Sequence, residues 1–85
     1  MRSISLTAEA ITHLEEWRQS DPKVLAKIVS LLAETAKYPF EGIGKPEPLK
    51  HNLKGKWSRR INQEHRLVYE VKDDAIIVFS CRYHY

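Results

Sequence analysis

The residues of this chain best suited to chemistry are Glu47, several arginines and lysines, and a C-terminal tail that reads Cys-Arg-Tyr-His-Tyr over 81–85. RNA can be cleaved without a metal when its own 2′-OH attacks the neighbouring phosphorus. That reaction needs a base for the hydroxyl, cations for the charge that develops at phosphorus, and an acid for the departing 5′-oxygen. A carboxylate or a lysine can be the base, arginine binds phosphate oxygens through its planar fork, and histidine can be the acid. The chain holds each of these parts, but many basic proteins do too, so residue types alone leave the function open.

The terminal His84-Tyr85 pair is unusual because chain ends are normally expendable. The pair is either idle or placed at a site once the last strand is fixed in a sheet. Cys81 follows an apolar stretch, and we interpret it as a packing residue rather than a nucleophile. The sequence has no HExxH motif, no second cysteine and no glycine-rich phosphate loop, so we expect neither a metal site nor a cofactor.

The positive charge of the chain is concentrated in its second half. Residues 1–42 hold 5 Lys/Arg and 6 Asp/Glu, whereas residues 43–85 hold 9 and 5. The segment 45–66 alone carries seven cations against two carboxylates, a net charge of +5. Such a distribution is typical of a protein that binds a polyanion, although a solvated cationic surface would have the same composition.

The length and composition indicate one small globular domain. We predict a single domain over 1–85, because 85 residues lie below the usual size of one domain. One cysteine cannot form an internal disulfide. The N-terminus does not read as a signal peptide, and no apolar run approaches about 18 residues. We therefore expect a cytoplasmic protein without a membrane segment.

The predicted elements place helices first and strands last. Alternation over 2–6 predicts a short strand, and apolar residues at helical spacing predict helices over 8–19 and 22–37. Thr7 and Asp21 are the expected N-caps, with Pro22 at the first position of the second helix. Proline and glycine predict a loop over 39–48, and strands are expected over 56–61, 66–72 and 75–82, with a turn over 62–65.

The sequence leaves open which face of the sheet meets the helices. A two-residue turn at Asp73-Asp74 would place Leu67, Tyr69 and Val71 on one face with Ile76 and Val78. It would place Arg66, Val68 and Glu70 on the other face with Ile77, Phe79 and Cys81. Both faces are partly apolar, so one meets the helices and the other is available to a partner or a cleft.

Four motifs from residue 39 onward resemble those of the YoeB toxins, a family in the RelE superfamily. They read PFEGIGKPEPLK over 39–50, WSRRI over 57–61, EHRLVY over 64–69 and CRYHY over 81–85. The resemblance covers about the last 47 residues, and the helical part before it adds a compatible pattern. It implies an α+β fold in which two N-terminal helices pack on a twisted antiparallel β-sheet, the RelE-like microbial ribonuclease fold.

The resemblance also implies a function. Members of the family are toxins of type II toxin–antitoxin pairs and act as ribosome-dependent, metal-independent endoribonucleases that cut mRNA in the ribosomal A site. The expected partners are therefore the ribosome, mRNA, a YefM-type antitoxin and a second copy of the chain in a homodimer. An alternative from the basic segment alone is an inhibitor of translation that binds the ribosome or RNA without cleaving anything.

The roles of individual residues follow from the same resemblance by position. Glu47 corresponds to the general base, Arg66 to the cation that stabilises the transition state, His84 to the general acid and Tyr85 to the terminal aromatic of the site. The supporting or substrate-binding positions are Lys50, Arg59, Arg60 and Glu64. We interpret Trp57 as a buried or interface residue rather than one that stacks on a base.

Overall fold

The computed structural model describes residues 1–83, so His84 and Tyr85 lie outside the described residues. The elements are β1 (Ser3–Leu6), α1 (Ala8–Ser20), α2 (Pro22–Lys37), β2 (Glu47–Pro48), a 3-10 turn (His51–Leu53), β3 (Lys56–Arg60), β4 (Arg66–Val71) and β5 (Ala75–Ser80). The predicted helices and strands are confirmed to within two residues at each end. The segment predicted as a loop differs in one respect, because it ends in the short edge strand β2.

The two helices begin where the sequence predicts. The Thr7 hydroxyl accepts a hydrogen bond from the Ala10 N–H at 3.2 Å, and so caps α1. Asp21 occupies the predicted cap position of α2, but its side chain makes no cap hydrogen bond. Its carbonyl oxygen instead accepts the N–H of Val24 at 3.0 Å. Pro22 begins α2, where its missing N–H costs no hydrogen bond.

The sheet has the strand order β1-β5-β4-β3-β2. The pairs β4–β5, β3–β4 and β2–β3 are antiparallel, whereas β1 runs parallel to β5. The predicted α+β fold with two helices on an antiparallel sheet is thus confirmed, and the one parallel pair, β1–β5, is an addition that the sequence does not predict. A parallel pair needs a long connection between its strands, and everything from α1 to β4 lies between β1 and β5.

The helices cover the sheet face that carries Leu67, Tyr69, Ile76 and Val78, all of which are buried. Ala10 and Trp17 of α1 and Ile28 and Leu31 of α2 complete this core. Leucine, isoleucine and valine at these positions remove a continuous apolar layer from water, which is the main favourable term in folding. The face that carries Arg66 is therefore the one left to the outside.

A β-bulge lies where β4 meets the end of β5. Tyr69 pairs with Val78 but Val68 pairs with Ser80, so Phe79 is an extra residue. The extra residue reverses the alternation that follows it. Cys81 consequently turns into the core and is fully buried. The expectation that Cys81 shares a face with Arg66 is wrong for this reason, whereas its interpretation as a packing residue agrees with the structure.

Candidate active site

The centre of the candidate site is a pair of arginines on neighbouring strands. Arg60 and Arg66 are in register across β3 and β4. The backbone N–H of Arg60 donates to the Gly44 carbonyl at 2.6 Å, and that of Arg66 donates to the Tyr83 carbonyl at 3.2 Å. The two N–H groups thus point away from each other, as in a non-hydrogen-bonded pair, in which side chains approach most closely. The two arginine side chains therefore start from directly opposite positions on the outer face.

The charges of these two arginines are not neutralised within the described chain. No carboxylate of residues 1–83 lies within ion-pair distance of Arg60 or Arg66. Nη1 of Arg66 donates to the carbonyl oxygens of Asn62, Gln63 and His65 at 2.8, 3.3 and 3.1 Å. These bonds fix the guanidinium against the turn through one nitrogen, and no group of residues 1–83 is hydrogen-bonded to its Nε or Nη2. An unpaired, fixed guanidinium is suited to bind a phosphate oxygen.

Glu47 reaches the same face from the edge of the sheet. It begins β2, pairs with Ser58 and is exposed. Ser58 and Arg60 are two residues apart on β3 and so share a face, which makes Glu47 and Arg60 diagonal neighbours about 7–8 Å apart. The sheet thus places Glu47, Arg60 and Arg66 as neighbours on one face. A carboxylate beside two cations can accept a proton while the cations hold the developing charge.

The segment that carries Glu47 is held in place from the core side by Arg59. Arg59 is fully buried, because strand alternation places it on the face opposite to Arg60. Its guanidinium donates to the carbonyl oxygens of Tyr38, Glu41 (2.8 Å) and Ile43 (3.1 Å), and to the Tyr69 hydroxyl (3.3 Å). The Tyr69 hydroxyl in turn donates to the Pro39 carbonyl at 2.7 Å. Burial raises the pKa of Tyr69, which keeps this hydroxyl a donor.

The structure therefore does not bring Arg59 to the site at which the sequence places it. The buried guanidinium satisfies backbone carbonyls of the loop over 38–43 and has no access to an outside substrate. Trp57, on the same face as Arg59, packs against the core and lies 4.9 Å from the Phe40 ring. The half-buried indole agrees with its interpretation as a buried or interface residue rather than one that stacks on a base.

A hydrogen bond to the Gly44 carbonyl docks this loop on β3. The Gly44 φ of +81° lies in a region that L side chains rarely adopt, and a Cβ placed there would lie 2.9 Å from the Arg60 carbonyl oxygen. Only glycine lets the backbone approach closely enough for the 2.6 Å hydrogen bond to Arg60. The position of Glu47, three residues further on, depends on this contact.

The C-terminal tail reaches the opposite side of the arginine pair. Its last described residues, Arg82 and Tyr83, follow the buried Cys81, and the Tyr83 carbonyl accepts the Arg66 N–H. His84 and Tyr85, predicted as acid and terminal aromatic, lie outside the described residues, and their roles stay predictions. The residue directly before His84, Tyr83, nevertheless contacts Arg66 through its carbonyl.

The two remaining predicted residues differ in how they are placed. Glu64 is exposed in the turn over 62–65, and its Oε1 lies 3.7 Å from Nε2 of His65. Lys50 is exposed just after β2, and no hydrogen bond or ion pair within residues 1–83 ties it to the site. Sequence reasoning missed two buried histidines next to the tail, His13 and His65. The only available signal was the position of His65 inside the motif EHRLVY.

The thiol of Cys81 is not suited to act as a nucleophile. Burial, with a smaller effect of the Glu16 charge, raises the pKa of Cys81 to about 12. The thiol therefore stays protonated near neutral pH, and its sulfur contacts the Ala10 carbonyl at 3.9 Å. Within residues 1–83 no group of three His, Cys, Asp or Glu is placed to hold a metal ion.

No helix in the described range is long and apolar enough to cross a membrane.

Comparison with known proteins gives a consistent result. A family model described as "YoeB-like toxin of bacterial type II toxin-antitoxin system" matches residues 6–85. Toxin YoeB of Escherichia coli strain K12 is 58% identical over 69 residues, which cover 81% of this chain and 82% of that protein.

Two solved structures from Staphylococcus aureus have the same fold at substantial identity. The YoeB dimer superposes with a TM-score of 0.91 at 47% identity and covers 99% of this chain and 98% of that one. The toxin in a heterotetrameric YoeB-YefM toxin–antitoxin complex superposes with a TM-score of 0.89 at 46% identity and covers 100% and 99%. The similarity thus extends over the helices as well as the motifs after residue 39.

Proposed function

This chain belongs to the YoeB-like toxins of bacterial type II toxin–antitoxin systems, and we propose that it acts as a ribosome-dependent endoribonuclease that cuts mRNA in the ribosomal A site. The observation that carries the proposal is the arginine pair on the outer face of the sheet. Glu47 lies on one side of that pair, and the tail that leads to His84 approaches on the other through Tyr83.

The proposed reaction uses these residues in sequence. The Glu47 carboxylate takes the proton of the 2′-OH, and the oxygen attacks the adjacent phosphorus. Arg66, with Arg60 beside it, stabilises the negative charge that develops on the phosphoryl oxygens. The bond from phosphorus to the 5′-oxygen breaks, and His84 gives that oxygen its proton. The products are a 2′,3′-cyclic phosphate and a free 5′-hydroxyl, and Tyr85 completes the site as the terminal aromatic residue.

The supporting residues divide into two kinds in this proposal. Lys50 and Glu64 are exposed and act from the substrate side. Arg59 acts from the core, because its hydrogen bonds to three loop carbonyls hold the segment that leads to Glu47. Arg59 is thus a positioning residue rather than a residue that touches RNA.

The proposed partners follow from the relatives and from an apolar groove. We infer that the chain forms a homodimer and binds a YefM-type antitoxin, and that it does so in the cytoplasm. Two of its structural neighbours are named as a YoeB dimer and as a YoeB-YefM complex. A groove beside Arg60 includes Leu31, Ile43 and Ile61, and Ile43 is 54% exposed. An antitoxin segment with apolar and acidic side chains would cover this groove and neutralise the arginine pair.

The test is a purified translation reaction in which the mRNA is read by primer extension after the wild-type chain is added. New stops at A-site positions, only when ribosomes are loaded on the message, would support the proposal. Cleavage of naked RNA at the same rate would contradict ribosome dependence.

The unneutralised arginine pair also favours a second candidate, an inhibitor that binds the ribosome without cleaving mRNA. It predicts translation arrest with intact message, together with a steep loss of binding as salt rises. Substitution of His84 would then leave the arrest unchanged.

A further inference from the structure

The last described residues of the chain are held by side chains from α1 and from the turn before β4, beyond the end of β5. Trp17 Nε1 donates to the Cys81 carbonyl at 2.9 Å, and His13 Nδ1 accepts the Cys81 N–H at 3.2 Å. His65 Nδ1 accepts the Tyr83 N–H at 2.7 Å. The chain is therefore anchored up to the residue that directly precedes His84.

We propose that His65 is a positioning residue for the nuclease reaction, because its Nδ1 fixes the Tyr83 backbone from which His84 continues. The proposal rests on the function proposed above, in which His84 is the general acid. A general acid contributes only when it lies within hydrogen-bond reach of the leaving oxygen. A tail free to move would spend little time in that geometry, so a fixed Tyr83 would raise the rate of the chemical step.

The surroundings of His65 hold its ring in one orientation. The side chain is buried, and the ring stands edge-on to the Trp17 indole at 4.7 Å between centroids with an 88° interplanar angle. Trp17 also holds the Cys81 carbonyl, so the same indole fixes both the ring and the tail. Rotation of the ring would lose the indole contact together with the Tyr83 hydrogen bond.

The tautomer of His65 follows from this hydrogen bond. Because Nδ1 accepts the Tyr83 N–H, the neutral ring must carry its proton on Nε2. The Glu64 carboxylate lies 3.7 Å from Nε2, too far for a hydrogen bond but on the side that favours a proton there.

Tyr83 itself has a backbone conformation that needs such support. Its φ of +67° lies in the left-handed region, which is uncommon for an aromatic residue. Such conformations persist when neighbouring contacts enforce them. Here His65 accepts the Tyr83 N–H, and the Arg66 N–H donates to the Tyr83 carbonyl. Both backbone polar groups of Tyr83 are thus bonded to two consecutive residues of the motif EHRLVY.

The alternative is that His65 serves only as a ring packed on Trp17. Two substitutions separate these roles because each keeps one property and removes the other. His65→Asn keeps an acceptor, Oδ1, near the place of Nδ1 and loses the ring. His65→Phe keeps a ring against the indole and loses the acceptor.

The experiment combines NMR of the purified full-length chain with single-turnover cleavage of mRNA on programmed ribosomes. In wild-type protein we expect a scalar coupling across the hydrogen bond between Tyr83 N and His65 Nδ1, and slow exchange of the Tyr83 amide. His65→Phe should speed that exchange and lower the cleavage rate at least about 10-fold, with ribosome affinity unchanged. His65→Asn should retain most of the protection and the rate.

The reverse pattern, in which His65→Phe cleaves mRNA and His65→Asn does not, would overturn the proposal. It would show that activity needs only the packing of the ring. A wild-type His65 whose Nδ1 is protonated, without the coupling, would overturn it even if neither variant folds. The coupling and the exchange rate do not depend on activity. A wild-type chain that shows both but cuts no mRNA would contradict the nuclease function and the positioning role built on it, while the contact itself would stand.

Discussion

Arg60 and Arg66 lie opposite each other on β3 and β4, and each turns its backbone N–H toward a different neighbouring segment. The Arg60 N–H holds the Gly44 carbonyl, and the Arg66 N–H holds the Tyr83 carbonyl. The same two residues thus provide adjacent cations with their side chains and fix the two segments beside them with their backbones. This arrangement couples the placement of Glu47 and of the tail to one strand pair.

The adjacent residues Arg59 and Arg60 should respond to substitution in opposite ways. Arg59→Met should lower the free energy of unfolding by at least about 2 kcal/mol, because it leaves buried loop carbonyls and the Tyr69 hydroxyl without their charged donor. Arg60→Met should leave the free energy of unfolding unchanged or raise it slightly, because it removes the like charge opposite Arg66. Urea denaturation of both variants measures the difference.

Activity measured on the same pair completes this test. Arg60→Met should remain folded but cleave mRNA more slowly, because it removes one of the two cations. Equal losses of stability in the two variants would contradict the assignment of Arg59 to the core and of Arg60 to the site.

The same pair of arginines shows what sequence can predict here. Alternation along a strand predicts that Arg59 and Arg60 lie on opposite faces. Which of the two is buried depends on which face meets the helices, and both faces of this sheet are partly apolar. The family motif WSRRI marks both arginines alike, so the resemblance does not separate them either.

Local signals explain what was predicted correctly. Periodicity and turn residues placed the helices and long strands within two residues, because these patterns depend on neighbours in sequence. The bulge at Phe79 has no glycine or proline in β5 to mark it, and so regular alternation predicts the wrong face for Cys81. The parallel β1–β5 pair and the contact of His65 with Tyr83 join distant parts of the chain and have no local signal.

Gly44→Ala should disturb the site more than the same change at Gly55. Both glycines have positive φ, +81° and +95°, so alanine is strained at either position. At Gly44 the added Cβ would also meet the Arg60 carbonyl oxygen at 2.9 Å, whereas at Gly55 nothing lies within 4 Å. We expect the loss in free energy of unfolding to be greater for Gly44→Ala by about 1 kcal/mol or more.

The two glycine variants should differ in activity as well. Gly44→Ala should slow cleavage because the loop that leads to Glu47 can no longer dock on Arg60, and Gly55→Ala should cleave at close to the wild-type rate. Finding no difference between them in either stability or cleavage would show that the close approach at Gly44 is unimportant.

The Cys81 thiol should be inaccessible to alkylation in the folded chain. Its burial and its pKa of about 12 keep it protonated, and a protonated thiol is a poor nucleophile. Iodoacetamide at pH 8.5 should label the chain in urea rapidly and the native chain only at the rate of unfolding. Rapid labelling of native protein, measured by mass spectrometry, would place the thiol at the surface.

The raised pKa of the Cys81 thiol should make the free energy of unfolding depend on pH. Its pKa is raised from 9.0 in the unfolded chain to about 12 in the folded one. Between these values the unfolded chain has released a proton that the folded chain retains. The contribution of the buried thiol to the free energy of unfolding is therefore fully present below pH 9 and falls as pH rises toward 12. The difference in free energy of unfolding between wild type and Cys81→Ala should therefore shrink from pH 8 to pH 10.5. A difference that stays constant would contradict the raised pKa.

In the proposed reaction Glu47, Arg66 and the penultimate residue, His84, carry out the cleavage. It is tested most directly by the single-turnover rate of mRNA cleavage on programmed ribosomes for wild type, Glu47→Gln, Arg66→Met and His84→Ala. Each variant should keep the fold and bind the ribosome, and each should lose on the order of 10²–10³ in rate, as expected when one group that acts in the transition state is removed. Wild-type rates in a folded His84→Ala or Glu47→Gln variant would contradict the claim, as would a wild-type chain that stops translation and leaves the message intact.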